Sequence, residues 1–169
     1  MSNDSIRDVV RCNGHTKTGA RCKRRTAKTK FCFTHLKSEL HLQVKKSNIP
    51  AAGLGLFTTV PRHYDRKRHR GEVIAPYDGE IVESHNPNYG NDYALQIKRH
   101  PPTFIDARKT TNTGRWANNA HGGGQNNSNL KPDNRHQSAQ IRAARNIPAG
   151  GEVLTAYGRD YWRNRPGPE

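Results

Sequence analysis

Three cysteines and a histidine near the N-terminus restrict the fold of this chain more than any other sequence feature. Cys12, Cys22 and Cys32 follow one another at intervals of ten positions, and His35 lies three positions after the last. Three thiolates and one imidazole match the ligands of a tetrahedral structural zinc ion. An odd number of cysteines argues against a closed set of disulfides. His15 has the same spacing from Cys12, so spacing alone leaves the fourth ligand open.

The low apolar content makes a metal more plausible than the competing interpretation, which is three unconnected reduced thiols in a flexible arm. Leu, Ile, Val and Phe make up only about 16% of the 169 residues, and the formal net charge is +15. Such values are typical of chains that do not order themselves, so we expect a metal or ligand to supply part of the order. No apolar run approaches the ~20 residues of a membrane span, and no signal peptide opens the chain. We therefore expect neither a membrane protein nor a secreted disulfide scaffold.

The basic charge is concentrated in two segments. Residues 11–46 carry a net charge of +10 and residues 61–70 carry +4, whereas residues 71–97 contain no Lys or Arg and carry −5. A solvated basic surface is the simpler explanation, but clustering on this scale favours a polyanionic partner. We predict that residues 11–46 and 61–70 contact nucleic acid or a nucleosome. The acidic segment then offers a patch of opposite sign to a basic peptide.

The rest of the sequence predicts a mainly β fold. Short extended segments are bounded by Gly, Pro, Asn or Asp, which is typical of strands joined by tight turns. Residues 31–42 allow one short helix, residues 139–145 have helical propensity by composition, and residues 108–138 are expected to be mostly loop. The predicted strands cover residues 54–60, 72–82, 93–98, 104–107 and 153–157.

Five stretches of the chain, taken in order, resemble a SET domain, the fold of protein-lysine methyltransferases. The matching stretches are residues 47–60, 71–82, 91–98, 104–120 and 144–162, and together they span roughly 120 residues. The ending Tyr-Gly-Arg-Asp-Tyr-Trp is similar to that of compact viral SET proteins. The cysteine segment resembles short Cys3His fingers of giant viruses and protists. The resemblance implies a β-rich SET fold with a pseudoknot at residues 41–165, preceded by a zinc finger at residues 1–40 and followed by a tail at 166–169.

The same resemblance implies an S-adenosylmethionine-dependent protein-lysine N-methyltransferase that acts on histone or another basic chromatin protein in the nucleus. The alternative is a catalytically impaired SET-like adaptor that binds nucleic acid or chromatin. Retention of Tyr77, Tyr157 and the sequence Gly53-Leu54-Gly55 favours the enzyme. The oligomeric state stays open, a dimer included.

The resemblance also implies roles for individual residues. Tyr157 matches the tyrosine beside the transferring methyl group, and Tyr77 is expected to wall the lysine channel, so both are candidate catalytic residues. Two departures from the family pattern stand out: Asn119-Ala120 replaces the usual His-Ser, and Thr155 replaces a Phe or Tyr. The implied cofactor-binding residues are Gly53, Leu54, Gly55, Tyr93, Asn118, Asn119 and Trp162.

Overall fold

The computed structural model of the protein describes residues 9–85, 92–109, 111–120, 124–133 and 135–157. Within these ranges the chain forms short strands, one α-helix (α1) and one 3-10 turn (Gly114–Trp116), so the predicted mainly β fold is confirmed. The helix α1 spans Phe33–Leu40. The strands are β1 (Val10–Arg11), β2 (Arg25–Thr26), β3 (Leu42–Lys46), β4 (Leu54–Thr58), β5 (Tyr64–Asp65), β6 (Arg70–Gly71), β7 (Val73–Tyr77), β8 (Glu80–Glu83), β9 (Ala94–Lys98), β10 (Thr103–Asp106), β11 (Ser128–Asp133), β12 (Ser138–Ala143) and β13 (Thr155–Ala156).

Two sheets organise the body of the protein. One has the strand order β13-β11-β12-β7, and the other has the order β8-β10-β9. The pairs β1-β2, β3-β4 and β5-β6 form separate two-stranded ribbons. Pairing is antiparallel except between β11 and β13, where Ser128 and Asn129 pair in parallel with Thr155 and Ala156. The last described strand therefore lies beside residues far earlier in the chain.

One apolar core joins the helix to the larger sheet. Leu42, Leu56, Ile141 and Val153 are completely buried, and Leu36 of α1 is buried against the same cluster. Burial of one such side chain contributes about 1.5–3 kcal/mol. The helix ends at His41, which adopts a left-handed conformation (φ 54°), and β3 starts at the next residue. The finger segment and the body consequently share a core.

The structure confirms the predicted short helix and most of the predicted strands, but it corrects three expectations. Residues 139–145 are not helical, because β12 alternates buried and half-buried residues with a period of two and pairs with β11 and β7 on its two sides. The segment 108–138, expected to be mostly loop, contains the six-residue strand β11 (Ser128–Asp133). The expected strand 72–82 is divided into β7, which pairs with β12, and β8, which pairs with β10 of the other sheet.

No helix in the described part of the chain is both long and apolar enough to cross a membrane.

Candidate functional site

The predicted cysteine and histidine ligands converge in the structure. One ligand atom from each of Cys12, Cys22, Cys32 and His35 lies within 4.8 Å of the others, and all three cysteines are buried and unbridged. His35 Nδ1 lies 3.3 Å from Cys12 Sγ and 3.5 Å from Cys32 Sγ. Its Nε2 lies 2.8 Å from the His15 carbonyl, so that with the proton on Nε2 the ring presents Nδ1 to the sulfurs. The cluster can hold a metal ion, and its donors are compatible with zinc.

The local structure shifts the pKa values of two of the thiols in opposite directions. Burial raises the pKa of Cys12 more than the backbone N–H groups of Cys32 and Gly14 lower it. Burial also raises the pKa of Cys32, but hydrogen bonds from the His35 backbone and from neighbouring side chains outweigh it and bring the pKa to about 6. A side chain at Gly14 would overlap the His35 ring, which explains a glycine at this turn.

The cysteine module is attached to the body by polar contacts as well as by the shared core. Trp116 Nε1 donates a hydrogen bond to the Lys28 carbonyl at 2.9 Å. The Lys30 ammonium and the Asp78 carboxylate form an ion pair next to Tyr77 in sequence. Phe31 packs against both the cysteine cluster and the main core. The metal-binding loops thus lie against the segments that carry the other candidate residues.

A second group of candidate residues forms a buried polar cluster. Asn118 Nδ2 donates to the Leu54 carbonyl at 3.0 Å and lies 3.4 Å from Glu152 Oε1. Gly55 packs directly against this pair, because an added Cβ would lie 3.1 Å from Glu152 Cδ and 3.3 Å from Asn118 Nδ2. Gly53 has a positive φ of 73°, which favours glycine. The structure therefore brings Gly53-Leu54-Gly55 and Asn118 together.

Glu152 is a member of this cluster that the sequence did not reveal. Only 6% of its surface is exposed, and its carboxylate accepts hydrogen bonds from Ser47 Oγ at 2.6 Å and from the Asn48 N–H at 2.8 Å. Buried carboxylates need such donors, because an unpaired one would be strongly destabilising. The sequence contained only a weak signal for this role, because Glu152 is simply a single acidic residue before the apolar pair Val153-Leu154.

Three tyrosines line a narrow cavity of about 30 Å³. Tyr157 donates its hydroxyl proton to the Ala117 carbonyl at 2.9 Å, and Tyr77 donates to the Tyr93 carbonyl at 2.8 Å. Both predicted catalytic residues thus lie at one cavity. Tyr93, predicted to bind cofactor, lies at this cavity too, and Thr155 forms part of its wall.

Among the described residues, two buried polar atoms of cavity-lining side chains have no hydrogen-bond partner. They are Arg115 Nε and Thr155 Oγ1, on residues that are 6% and 1% exposed. The Arg115 guanidinium carbon lies 4.1 Å from the Tyr93 ring centroid, and its Nη1 donates to the Arg108 carbonyl. Unsatisfied buried polar atoms are uncommon in native proteins. A polar ligand bound in this cavity could supply the missing partners.

Strand β13 joins the polar cluster to the tyrosine cavity. The Thr155 N–H donates to the Asn118 carbonyl at 2.8 Å, and Asn119 Nδ2 donates to the Thr155 carbonyl at 3.2 Å. Asn118 and Asn119 therefore lie behind the wall that Thr155 contributes to the cavity. Trp162, the remaining predicted cofactor-binding residue, lies outside the described residues.

Comparison with models of known protein families found no match to this chain, and comparison with curated proteins found none either.

Proposed function

We propose that this chain is an S-adenosylmethionine-dependent protein-lysine N-methyltransferase with a SET-type fold, including its pseudoknot. The observation that supports the proposal most directly is the position of Tyr157. Its hydroxyl is fixed on the Ala117 carbonyl at a narrow cavity, one residue before the Asn118 that contacts Leu54. In the proposed enzyme the methyl donor and the amine acceptor would meet beside this hydroxyl.

The chemistry asks the protein for alignment and for a neutral amine. When bound, S-adenosylmethionine supplies a methyl group already activated by the sulfonium. Free lysine has a pKa of ~10.4, so only about one side chain in a few thousand is neutral at pH 7. Walls formed by Tyr77 and Tyr93 would desolvate the ammonium and lower its pKa, and the buried cation of Arg115 acts in the same direction.

Tyr157 is proposed as an orienting group. Its own pKa in water is near 10, which makes it a poor base at neutral pH. Its hydrogen bond to the Ala117 carbonyl fixes the direction of the hydroxyl oxygen. Such placement keeps the reacting atoms in line, and small displacements reduce rates by about 10²-fold.

The proposed substrate is a histone or another basic chromatin protein, modified in the nucleus. Asp92 lines the tyrosine cavity, and the exposed Glu80 and Glu83 lie on β8 of the sheet that contains β9 and β10. These acids would attract a basic peptide to an otherwise cationic protein. Residues 11–46 and 61–70 are proposed to contact nucleic acid, and zinc is the metal proposed for the cysteine cluster.

Replacement of Tyr157 by phenylalanine tests the enzyme proposal. We expect Tyr157→Phe to bind S-adenosylmethionine as the parent does and to lose about 10²-fold in methyl transfer to histones, measured with a radiolabelled methyl group. Tyr64→Phe, which changes a tyrosine outside the cavity, is the matched control and should keep full activity. Full activity of Tyr157→Phe would remove this residue from the mechanism. Mass spectrometry of the same reactions would report the modified lysine and the number of methyl groups.

The second candidate function is an impaired SET-like adaptor for nucleic acid or chromatin. The observation that favours it is the pair Asn119-Ala120, where the family usually has His-Ser. Asn119 already donates its side chain to the Thr155 carbonyl, so it has a structural use without a cofactor. Calorimetry separates the two proposals, because an adaptor would show no heat on addition of S-adenosylmethionine.

A further inference from the structure

A basic β-ribbon projects from the body at a distance in sequence from the candidate site. Strands β5 and β6 pair through Tyr64–Gly71 and Asp65–Arg70. The turn between them consists of four successive exposed residues, Arg66, Lys67, Arg68 and His69. A two-residue ribbon with a tip of this composition adds nothing to an apolar core, so its sequence calls for another explanation.

The ribbon is fixed rigidly to the end of β12 and the segment that follows. The Tyr64 N–H donates to Asn146 Oδ1 at 2.9 Å, and Arg62 and Ile147 exchange two backbone hydrogen bonds of 2.8 and 2.9 Å. Gly71 approaches Ala143 so closely that a Cβ would overlap the Ala143 carbonyl. These contacts determine which residues of the body stand next to the ribbon.

Two arginines from the body join the ribbon residues in lining two grooves. An open groove of about 670 Å³ is lined by Arg142 together with Arg62, Arg68 and Arg70. A second groove of about 530 Å³ is lined by Arg145 together with Arg66. Arg142 and Arg145 are more than seventy positions away from the ribbon in sequence. Only the fold brings these six arginines to the two grooves.

Part of this surface is held in position before any partner arrives. Arg62 Nε donates to Thr58 Oγ1 at 3.0 Å, and Arg142 donates to the Gly71 carbonyl at 3.3 Å and to Gln140 Oε1 at 2.9 Å. Arg145 contacts the Gln125 side chain.

The carboxylates of this face do not cancel its charge. Asp65 and Glu72 line the larger groove, where Asp65 Oδ2 lies 3.7 Å from Arg68 Nε and Glu72 accepts the His63 N–H. Six arginines and Lys67 therefore stand against two carboxylates.

We propose that this face, the ribbon face, binds the phosphate backbone of double-stranded nucleic acid, with the ribbon directed at a groove and Arg142 and Arg145 on its flanks. Guanidinium groups match phosphate oxygens in a bidentate geometry that lysine cannot provide. A duplex presents two phosphate strands that border a groove, and the major groove of DNA admits a two-stranded ribbon. The proposal sharpens the contact suggested for residues 61–70 and is independent of methyl transfer. An acidic protein surface is the competing partner, but it offers no paired rows of phosphates to the two grooves.

The test compares two variants that lose the same charge. Arg66→Ala/Arg68→Ala/Arg145→Ala removes three exposed cations of the ribbon face. Arg99→Ala/Lys131→Ala/Arg135→Ala removes three exposed cations elsewhere and serves as the control. Full-length proteins are titrated into a fluorescent DNA duplex of about 20 base pairs between roughly 50 and 200 mM salt, and anisotropy gives the affinity. Circular dichroism confirms that both variants are folded.

We expect the ribbon-face variant to bind about 10- to 500-fold more weakly near 0.1 M salt and the control to change less than about threefold. The upper bound follows from three lost phosphate contacts, which also reduce the slope of log K against log salt by about 2.7. Equal weakening of both variants would overturn the proposal, because it would reflect net charge alone. Displacement of the duplex by poly-glutamate as readily as by unlabelled duplex, at equal charge, would overturn it in favour of an acidic protein. Methyl-transfer activity does not enter this assay, so a failure of the enzyme proposal would leave the result intact.

Discussion

Replacement of Gly55 by alanine is expected to disturb the polar cluster in a way that can be calculated from the structure. The new methyl group would lie 3.1 Å from Glu152 Cδ, closer still to Glu152 Oε1, and 3.3 Å from Asn118 Nδ2. Gly55 has no positive φ, so backbone strain contributes nothing to the cost. The glutamate must therefore move, and its 2.6 Å hydrogen bond with Ser47 Oγ is the contact most directly affected.

The expected destabilisation is about 2.5–4.5 kcal/mol. Overpacking costs about 1–3 kcal/mol, and weakening a hydrogen bond to a buried charge adds about 1.5 kcal/mol. In a protein of this size each kcal/mol lowers Tm by about 2–4 °C. Calorimetric Tm and urea unfolding of Gly55→Ala against the parent measure the change. Gly19→Ala is a useful control, because Gly19 has no neighbour within 4 Å of the added Cβ and its φ of 81° adds strain alone.

A double-mutant cycle shows whether Glu152 is the cause. In a Glu152→Ala background the methyl group at position 55 has room, so Gly55→Ala should cost at least about 1 kcal/mol less there than in the parent. If Gly55→Ala costs the same in both backgrounds, the assignment of the clash to Glu152 is wrong. A parent-like Tm for the single variant would refute the packing argument altogether. Under the enzyme proposal, Gly55→Ala should also weaken binding of S-adenosylmethionine, since Asn118 lies against the same methyl group.

Three further changes test the metal ligands of the cysteine module and its attachment to the body. Cys22→Ser should lose the bound metal that the parent retains, and equal metal content by mass spectrometry would contradict the ligand assignment. Trp116→Phe removes the hydrogen bond to the Lys28 carbonyl and should lower the free energy of unfolding by about 1 kcal/mol. Urea unfolding measures this change, and an unchanged midpoint would contradict the prediction. Leu36→Ala leaves a cavity where the helix meets the body core and should cost about 2–5 kcal/mol; a loss below 1 kcal/mol by the same measurement would show that the finger and the body do not share a core.

The metal cluster was the part of the molecule most accessible from sequence. Ligand type and number fixed Cys12, Cys22 and Cys32, but His15 and His35 have equivalent spacings. Only the fold separates them, because it directs the His35 ring at the sulfurs and uses the backbone of His15 to hold that ring. Side-chain direction depends on tertiary contacts that spacing does not encode.

The body was predictable in its strand content and less so in its details. Composition suggested a helix at residues 139–145, but alternation of buried residues in β12 and pairing on both sides outweigh helix propensity. Glu152 was missed because its role comes from Ser47 and Asn48, more than a hundred positions earlier. Arg142 and Arg145 join the basic ribbon for a similar reason, since β12 and the segment that follows it meet β5 and β6 only after folding.

The parallel pairing of β11 with β13 has a consequence for the newly made chain. Thr155 is synthesised 37 positions after Asn118, and at about 5–20 residues per second a ribosome needs about 2–7 s to cover that distance. During this interval Asn118 and Asn119 lack the backbone partners that β13 will supply. The four potential metal ligands, Cys12 to His35, are synthesised much earlier. A metal ion could therefore order the N-terminal segment before Thr155 and Tyr157 complete the lining of the tyrosine cavity. The part of the cavity wall that Thr155 and Tyr157 supply is consequently made last among the described residues.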